Sequence, residues 1–234
     1  MTKTDPEFDR LDSFDAATRQ QTLQRLAARP APAEAAPPRV NMHCHTFFSY
    51  NGYGASPARV AWEARQQGWR AAGICDFDVL DGLDEFLGAG DLLGLRTTVN
   101  LETRVFFPHY AEHEINSPGE PGVYYFMGAG FTAAPPADTP AGRQLQAMRE
   151  GAARRTRDLA ARVNDYLDHC RLDFDADVVA RTPAGNATER HVCEAFAEKS
   201  KAVFADAARE LAFWTDKLGL AADELQPVLQ DPVA

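Results

Sequence analysis

The length, composition and charge of the chain exclude several classes of protein. Its 234 residues can form one large domain or two small ones, with enough core to fold without disulfides. A formal net charge of −10 argues against nucleic-acid binding, because a phosphate backbone would be repelled. The four cysteines form no CxxC pair, and neither a signal peptide nor an apolar stretch long enough to span a bilayer is visible. We therefore expect a cytoplasmic protein with reduced thiols and no membrane partner.

The first 38 residues are predicted to stand apart from the rest of the chain. Residues 1–29 have the pattern of a weakly amphipathic helix, and residues 29–38 are rich in proline and alanine, which is typical of a semi-rigid linker. We expect this appendage to pack loosely or not at all. The predicted domains are therefore 1–38 and 39–234.

Strands alternate with helices from residue 39 to residue 131. Ser56 and Pro57 are typical of a helix start, and Gly94 of a helix end. The alternation predicts an α/β fold whose sheet is parallel or mostly parallel, either open or closed into a barrel. Strands are predicted over 39–42 (a buried one), 70–75, 95–107 and 122–131, and helices over 57–67 and 83–93.

Two long amphipathic helices are predicted in the second half of the chain. Apolar residues recur at steps of three and four over 144–170 and over 188–218. Asn186 and Glu189 have the spacing of a capping box at the start of the second helix. The apolar stripes indicate core or helix-pair contacts rather than a cofactor site.

Polar side chains follow three successive predicted strands. His43 and His45 are two residues apart in an extended segment and should point to the same side, while Asp76 and Asp78 follow the next strand and Glu102 the third. In parallel α/β folds this is the edge at which ligands bind. Two imidazoles with carboxylates suit zinc, manganese or iron, which can activate water and neutralise charge on a phosphate ester. Alternatively, the histidines are unrelated and the aspartates cap helices.

These segments resemble the motifs of the PHP (polymerase and histidinol phosphatase) domain family. The resemblance covers residues 39–131 well and is looser beyond. The family's first motif, His-x-His-Thr followed by Ser-Asp-Gly and Ser-Pro, stands here as His43-Cys44-His45-Thr46, Ser49-Tyr50-Asn51 and Ser56-Pro57. Its second motif, Thr-Asp-His-Asp followed by Gly, stands as Cys75-Asp76-Phe77-Asp78 and Gly82, and its strand-end Glu is Glu102.

The resemblance implies a seven-stranded β/α barrel, distorted or partial, with up to three divalent metals and long C-terminal helices. It implies hydrolysis of phosphate esters, with a small phosphorylated substrate, and it makes His43, His45 and Glu102 metal ligands. Asp76, which we count with the catalytic residues, would be a supporting carboxylate.

Three further residues are candidates for the same site. Arg104, on the strand of Glu102, could hold an anionic group, as could Arg190, although an exposed arginine is usually only solvated. His113, in the loop after that strand, could fold back as a further metal ligand or remain a solvated loop histidine.

The chain also departs from the family pattern. Phe77 replaces a histidine that is normally a ligand, Tyr50 replaces an aspartate, and Tyr125 stands where a histidine is often found. The late histidine and Asp-x-His motifs have no counterpart. Either the chain is the N-terminal part of a longer protein whose remaining ligands lie further on, or the domain is complete but degenerate.

Three functions follow as hypotheses. The first is a metal-dependent phosphoesterase of the PHP type. The second is a non-catalytic PHP-like module that binds a ligand or a partner protein. The third is an amidohydrolase-like enzyme, because a His-x-His strand end also serves C–N hydrolysis on barrel folds. The sequence indicates neither the specific substrate nor the oligomeric state.

Overall fold

The computed structural model describes residues 6–30, 33 and 37–230. The chain forms two compact units, Met1–Arg149 and Glu150–Ala234, and each has an apolar core of its own. The strands are β1 (Val40–Cys44), β2 (Ala71–Phe77), β3 (Arg96–Phe106) and β4 (Val123–Ala129). The α-helices are α1 (Pro6–Leu11), α2 (Ala16–Ala27), α3 (Pro57–Gln66), α4 (Leu83–Leu93), α5 (Pro140–Leu167), α6 (Glu189–Val203), α7 (Ala207–Leu218) and α8 (Ala222–Gln230).

The first unit is an α/β fold built on a curled four-stranded sheet of order β1-β2-β3-β4. β1 pairs with β2 and β2 with β3 in parallel, whereas β3 and β4 are antiparallel. The prediction of a mostly parallel sheet is confirmed. The described residues form a half-barrel, and a closed seven-stranded barrel stays a prediction.

The prediction that the first strand is buried is wrong. Val40 and Met42 keep 59% and 42% of their surface exposed. The physical reason is the strand order: β1 lies at the edge of the sheet, whereas β2, which has a neighbour on each side, is buried along most of its length.

Local capping signals set the bounds of α3 and α4 as predicted. The Ser56 hydroxyl accepts a hydrogen bond from the Arg59 backbone N–H, and Pro57 occupies the first turn of α3, where no intrahelical donor is needed. Gly94 ends α4 with a φ of +66°, a conformation that glycine adopts without strain. These two helices precede β2 and β3, whose carboxyl ends carry predicted site residues.

The expectation that the N-terminal segment packs loosely is wrong. It forms α1 and α2, whose Leu11, Leu23 and Leu26 are buried in the same core as α3 and α4. Residues 31–32 and 34–36 of the predicted linker lie outside the described part of the chain. The boundary placed at residue 38 stays a prediction.

The second unit contains more helices than the pattern predicted. The segment predicted as one helix over 188–218 is broken between α6 and α7, where the Asp206 carboxylate accepts from the Ala208 N–H and starts a new helix. The cap of α6 is formed by Thr188 and His191 rather than by Asn186 and Glu189. Within the described ranges, no helix combines the length and apolar character that crossing a bilayer requires.

Candidate metal centre

Three side chains that can bind a metal ion meet where β1 and β2 end, beside the second half of β3. The ligand atoms of His43, His45 and Glu102, hereafter the donor triad, lie within 4.8 Å of one another. The Nε2 atoms of His43 and His45 lie 2.9 and 3.4 Å from the same carboxylate oxygen, Oε2 of Glu102. The structure thus brings together the two imidazoles and the carboxylate that the sequence placed at neighbouring strand ends.

The backbone of β1 leaves the regular ladder where it presents the first imidazole. The strand register shifts between Asn41 and Cys44, so the local carbonyl and amide groups need partners outside the sheet. The Met42 carbonyl accepts a hydrogen bond from the Asn100 side-chain amide at 2.8 Å, and the His43 N–H donates to the Asn41 side chain at 3.0 Å. These bonds satisfy the irregular backbone and fix the segment that carries His43.

The donor triad is buried on the carboxylate side and open on the imidazole side. The Glu102 side chain is 10% exposed, whereas that of His43 is 42% exposed. A buried carboxylate in low-dielectric surroundings attracts a cation more strongly than a solvated one does. The exposed edge of the His43 imidazole leaves a route by which a substrate can approach. This combination is typical of a catalytic rather than a closed structural metal site.

A hydrogen-bond relay orients the second imidazole. The Ser49 hydroxyl donates to Asp76 at 2.7 Å, so its oxygen is free to accept from Nδ1–H of His45, which lies 3.4 Å away. Burial lowers the pKa of His45, the His43 imidazole adds to the decrease, and the Glu102 carboxylate opposes it. In the tautomer that donates from Nδ1 to Ser49, Nε2 presents its lone pair on the side of the Glu102 carboxylate.

Asp76 supports the loop after β1 instead of joining the donor triad. Its carboxylate accepts from the Thr46 backbone N–H, the Thr46 hydroxyl and the Ser49 hydroxyl, each at 2.7 Å. Burial raises the pKa of the Asp76 carboxyl, and these three bonds oppose the rise. Asp78 turns away with a φ of 59° and accepts from the Thr103 hydroxyl at 2.6 Å.

Phe77 packs against the donor triad and Tyr125 packs against Phe77; these two residues are hereafter the aromatic wall. The Phe77 ring stacks on the His45 imidazole with centroids 4.6 Å apart and planes 17° apart. The rings of Tyr125 and Phe77 form a T-shaped pair whose centroids lie 6.0 Å apart. Both stand where the PHP motifs place histidines, and neither ring offers a metal-binding nitrogen.

Arg104 lies two residues beyond Glu102 on β3 and therefore on the same side of the strand. Its guanidinium pairs with Glu120 and lies 5.9 Å from the centre of the Tyr125 ring. The buried Nε of Arg104 has no hydrogen-bond partner among the described residues. A buried donor of this kind is rare in folded proteins and is suited to an anionic acceptor.

His113 is exposed and does not belong to the donor triad. It lies after the short 3-10 turn Pro108–Tyr110, and its carbonyl accepts from the Gly122 N–H at 2.8 Å, which fixes the loop in place. Its assignment as a further ligand stays a prediction. Arg190, the other arginine suggested for an anion, lies on α6 in the second unit.

The donor triad fits a single divalent ion such as zinc, manganese or iron. Two imidazoles and one carboxylate are a common ligand set for these metals, and three protein ligands leave a position for water or substrate. One ion bound to Nε2 of both histidines and to Oε2 of Glu102 would fit the short separations of these atoms, since the two nitrogens lie 2.9 and 3.4 Å from the carboxylate oxygen. This convergence of three donor atoms is the observation on the residues themselves that favours a metal.

Sequence reasoning missed two contributors to the site. Ser49 was part of a motif but had no role, and Phe77 was noted only as the replacement of a ligand. Their roles depend on contacts with His45 across a loop and a strand. The only signal in the sequence was their position inside the two motifs.

Comparisons with known proteins place this arrangement on a known fold. No protein-family model matches the sequence, and no curated protein matches it. The structure is similar to a protein from Bifidobacterium adolescentis assigned as a metal-dependent phosphoesterase, with a TM-score of 0.55, 20% identity, and coverage of 78% of this chain and 56% of that one. It is also similar to an amidohydrolase from Chromobacterium violaceum, solved with bound sulfate and no metal, with a TM-score of 0.52, 20% identity, and coverage of 71% and 51%.

These similarities establish the fold. At 20% identity they do not transfer an activity, and the chain spans about half the length of the two solved structures. The α/β architecture is therefore shared with hydrolases of two reaction types.

Proposed function

We propose that the protein is a metal-dependent hydrolase of the PHP type that cleaves a phosphate ester of a small molecule. The observation that carries the proposal is the donor triad, in which two imidazoles face one buried carboxylate oxygen at 2.9 and 3.4 Å. The resemblance of the motifs around His43, Asp76 and Glu102 to those of the PHP family supports the same conclusion.

Each residue of the site has a role in this proposal. His43, His45 and Glu102 hold the ion, which when bound supplies a Lewis acid that polarises a phosphoryl oxygen and lowers the pKa of water. Ser49 keeps the proton of His45 on Nδ1, and Asp76 holds Ser49.

Arg104 is proposed to bind the negative charge of the ester. Its unpartnered Nε and its position beyond Glu102 on the same side of β3 favour this role. The Glu120 carboxylate, which pairs with the guanidinium, balances its charge when no substrate is present. An arginine is suited to this task because its planar fork matches phosphate oxygens.

The solved structures support two reaction types. One is assigned as a metal-dependent phosphoesterase and the other as an amidohydrolase that carries sulfate, an anion with the shape of phosphate. A C–N hydrolase built on the same donor triad is therefore the second candidate. The unpartnered donor of Arg104 favours the phosphoesterase, because the reacting group of a phosphate ester is anionic whereas an amide group is not.

Metal content tests the proposal directly. The purified chain, incubated with zinc, manganese or ferrous iron and then desalted, should retain metal when measured by inductively coupled plasma mass spectrometry. The double variant His43→Ala/His45→Ala should lose it. The matched control is His109→Ala/His169→Ala, which removes two exposed histidines and should retain the metal.

Activity separates the candidate reactions. The metal-loaded chain should hydrolyse an aryl phosphate faster than an aryl amide, and the reverse order would favour the amidohydrolase. Metal binding without either activity would support the non-catalytic module, and so would the absence of metal binding. The aromatic wall, which replaces ligand positions of the family, would then account for the lack of hydrolysis. Adding His113→Ala to this series tests its proposed role as a further ligand.

Two lesser proposals rest on charge and on the cysteines. We propose that the protein does not bind nucleic acid, because its net charge of −10 would repel a phosphate chain. We also propose that it acts in the cytoplasm, where thiols stay reduced, because its four cysteines are free. A filter-binding assay with single- and double-stranded DNA at low salt should show no retention.

A further inference from the structure

Phe77 contacts the donor triad but offers no ligand atom to an ion. It ends β2, and in the parallel ladder it lies beside Glu102 of β3. Its ring stacks on His45 with centroids 4.6 Å apart and planes only 17° apart. Phe77 therefore covers one face of an imidazole whose edge points at the carboxylate.

Each ring of the aromatic wall packs against a further side chain of the site. The ring centroids of Tyr125 and Phe77 lie 6.0 Å apart. Arg104 lies on β3, next to the strand of Tyr125, and its guanidinium is 5.9 Å from the centre of the Tyr125 ring. A ring packed on both sides has little freedom to rotate. The Phe77 ring thus fixes the plane of the His45 imidazole, while Ser49 fixes its proton.

The aromatic wall also determines how many cations the site can hold. In the described part of the chain, the donor triad is the one group of three or more histidine, cysteine, aspartate or glutamate residues that can surround an ion. A second ion on the side of His45 that Phe77 covers would lie against the Phe77 ring, where it would lose water ligands and gain no protein ligand. Such a site is strongly unfavourable.

We propose that Phe77 is a positioning residue that fixes the His45 imidazole and restricts the centre to a single divalent cation. This inference rests on the proposed metal site and departs from the multinuclear centre that the family resemblance implies. The reaction would then depend on one ion, with Arg104 in place of further metals as the charge that offsets the anionic substrate.

The test combines metal stoichiometry with the visible spectrum of the cobalt(II) form. Wild type should bind one ion per chain at saturation. Phe77→Leu should keep one ion but bind it about 10- to 100-fold more weakly, with an altered cobalt spectrum, because a ligand loses its orientation. Phe77→Tyr keeps an aromatic ring at this position and should bind the ion with wild-type affinity and spectrum. The control is Phe126→Leu, at an exposed neighbour of Tyr125 on the opposite side of β4, which should change neither property. Circular dichroism checks that each variant is folded.

Phe77→His tests the restriction itself, and its stoichiometry should exceed one. A stoichiometry that stays at one in Phe77→His would overturn the restriction, and an unchanged affinity and spectrum in Phe77→Leu would overturn the positioning role. Wild type with two or more ions overturns this inference but leaves the proposed hydrolase intact. Wild type with none overturns both.

Discussion

At the scale of single residues, Glu102 and Ser49 determine what the site can do. One oxygen of Glu102 faces both imidazoles, at 2.9 Å from His43 and 3.4 Å from His45. The Ser49 hydroxyl donates its own proton to Asp76, so its oxygen can accept the Nδ1 proton of His45, 3.4 Å away. A change of one hydroxyl, far smaller than a change of ligand, should therefore affect metal binding.

Ser49→Ala should weaken metal binding about 10- to 100-fold, because His45 loses the acceptor for its Nδ1 proton. The tautomer with a free Nε2 lone pair is then no longer favoured by a hydrogen bond. Thr46→Val is the matched control: Thr46 also donates a hydroxyl hydrogen bond to Asp76 at 2.7 Å but makes no contact with His45 among the hydrogen bonds described. Isothermal titration calorimetry with zinc should show the loss in Ser49→Ala alone. Equal losses in both variants would mean that the loop as a whole, not the Ser49–His45 contact, sets the affinity.

At this scale the sequence predicted which residues meet but not how they are held. His43, His45 and Glu102 could be placed together because parallel strands bring their carboxyl ends to one edge, which is a rule of topology. The stacking of Phe77 on His45 could not be predicted, since it depends on side-chain rotamers at the ends of two different segments. The packing of Tyr125 behind Phe77 further depends on the pairing register of β3 and β4.

At the scale of elements, close backbone approach at the middle of the sheet constrains β2. A Cβ added at Gly73 would lie 2.7 Å from the Thr98 side chain and 2.8 Å from the Met42 carbonyl oxygen. β2 has β1 on one side and β3 on the other, so it cannot shift away from either contact. Gly88, on the exposed side of α4, has no atom within 4 Å of such a Cβ.

The same substitution should therefore have opposite effects at the two positions. Gly73→Ala should lower the free energy of unfolding by about 1 to 3 kcal/mol through overpacking. Gly88→Ala should raise it by about 0.5 to 1 kcal/mol, because alanine loses less backbone entropy in a helix. Thermal melts of the two variants beside wild type would show the difference, and a neutral Gly73→Ala would mean that the strands separate more easily than the sheet geometry indicates.

The cap of α6 makes the second unit sensitive to acid. Nδ1 of His191 accepts the Thr188 backbone N–H at 3.1 Å and must be unprotonated to do so. Burial, with a smaller contribution from Arg181, lowers the pKa of His191 from 6.5 to about 4. Between these two values the unfolded chain binds more protons than the folded one, so stability falls as the pH falls from 6.5 towards 4.

On acidification from about pH 7 to about pH 4.5, this single group should remove about 2 to 3 kcal/mol of stability. His191→Gln should abolish that part of the pH dependence, because glutamine at the same position accepts the capping hydrogen bond but binds no proton. Urea titrations of both proteins at the two pH values, followed by circular dichroism, measure the difference. An identical loss in the variant would assign the acid sensitivity to carboxylates instead.

Elements were predictable where their signals are local. The start of α3 follows from Ser56 and Pro57 and the end of α4 from Gly94, each of which acts on its own turn. The break between α6 and α7 was missed because the apolar stripe continues in register across it, although Asp206 is a recognisable cap. The exposure of β1 could not be predicted, since it depends on strand order, which is a property of the whole sheet.

At the scale of the whole molecule, the N-terminal helices belong to the unit that carries the donor triad. Arg19 of α2 is buried and makes a bidentate contact with Glu85 of α4, and the same carboxylate accepts from the Ala58 N–H at the start of α3. One side chain thus connects three helices around the core of the first unit. The sequence pattern missed this because proline and alanine between the segments are equally typical of a free linker.

This organisation makes metal binding a property of one unit, and hydrogen exchange can test that. The donor triad lies within Met1–Arg149, and the buried core of α6 and α7 lies in the other unit. Ligand bound only to the folded state stabilises it by mass action, by about 2.7 kcal/mol at a hundredfold excess over Kd. Zinc should therefore slow amide exchange in β1, β2 and β3, and leave the amides of α6 unchanged.

The variant His43→Ala/His45→Ala should show no such slowing, and His109→Ala/His169→Ala should behave as wild type. Slower exchange in α6 to the same extent as in β2 would contradict the confinement of the effect to the first unit, which contains all three residues of the donor triad. Slowing in the strands that persists without His43 and His45 would instead show that zinc binds elsewhere in the first unit, and the donor triad would lose its place as the metal centre.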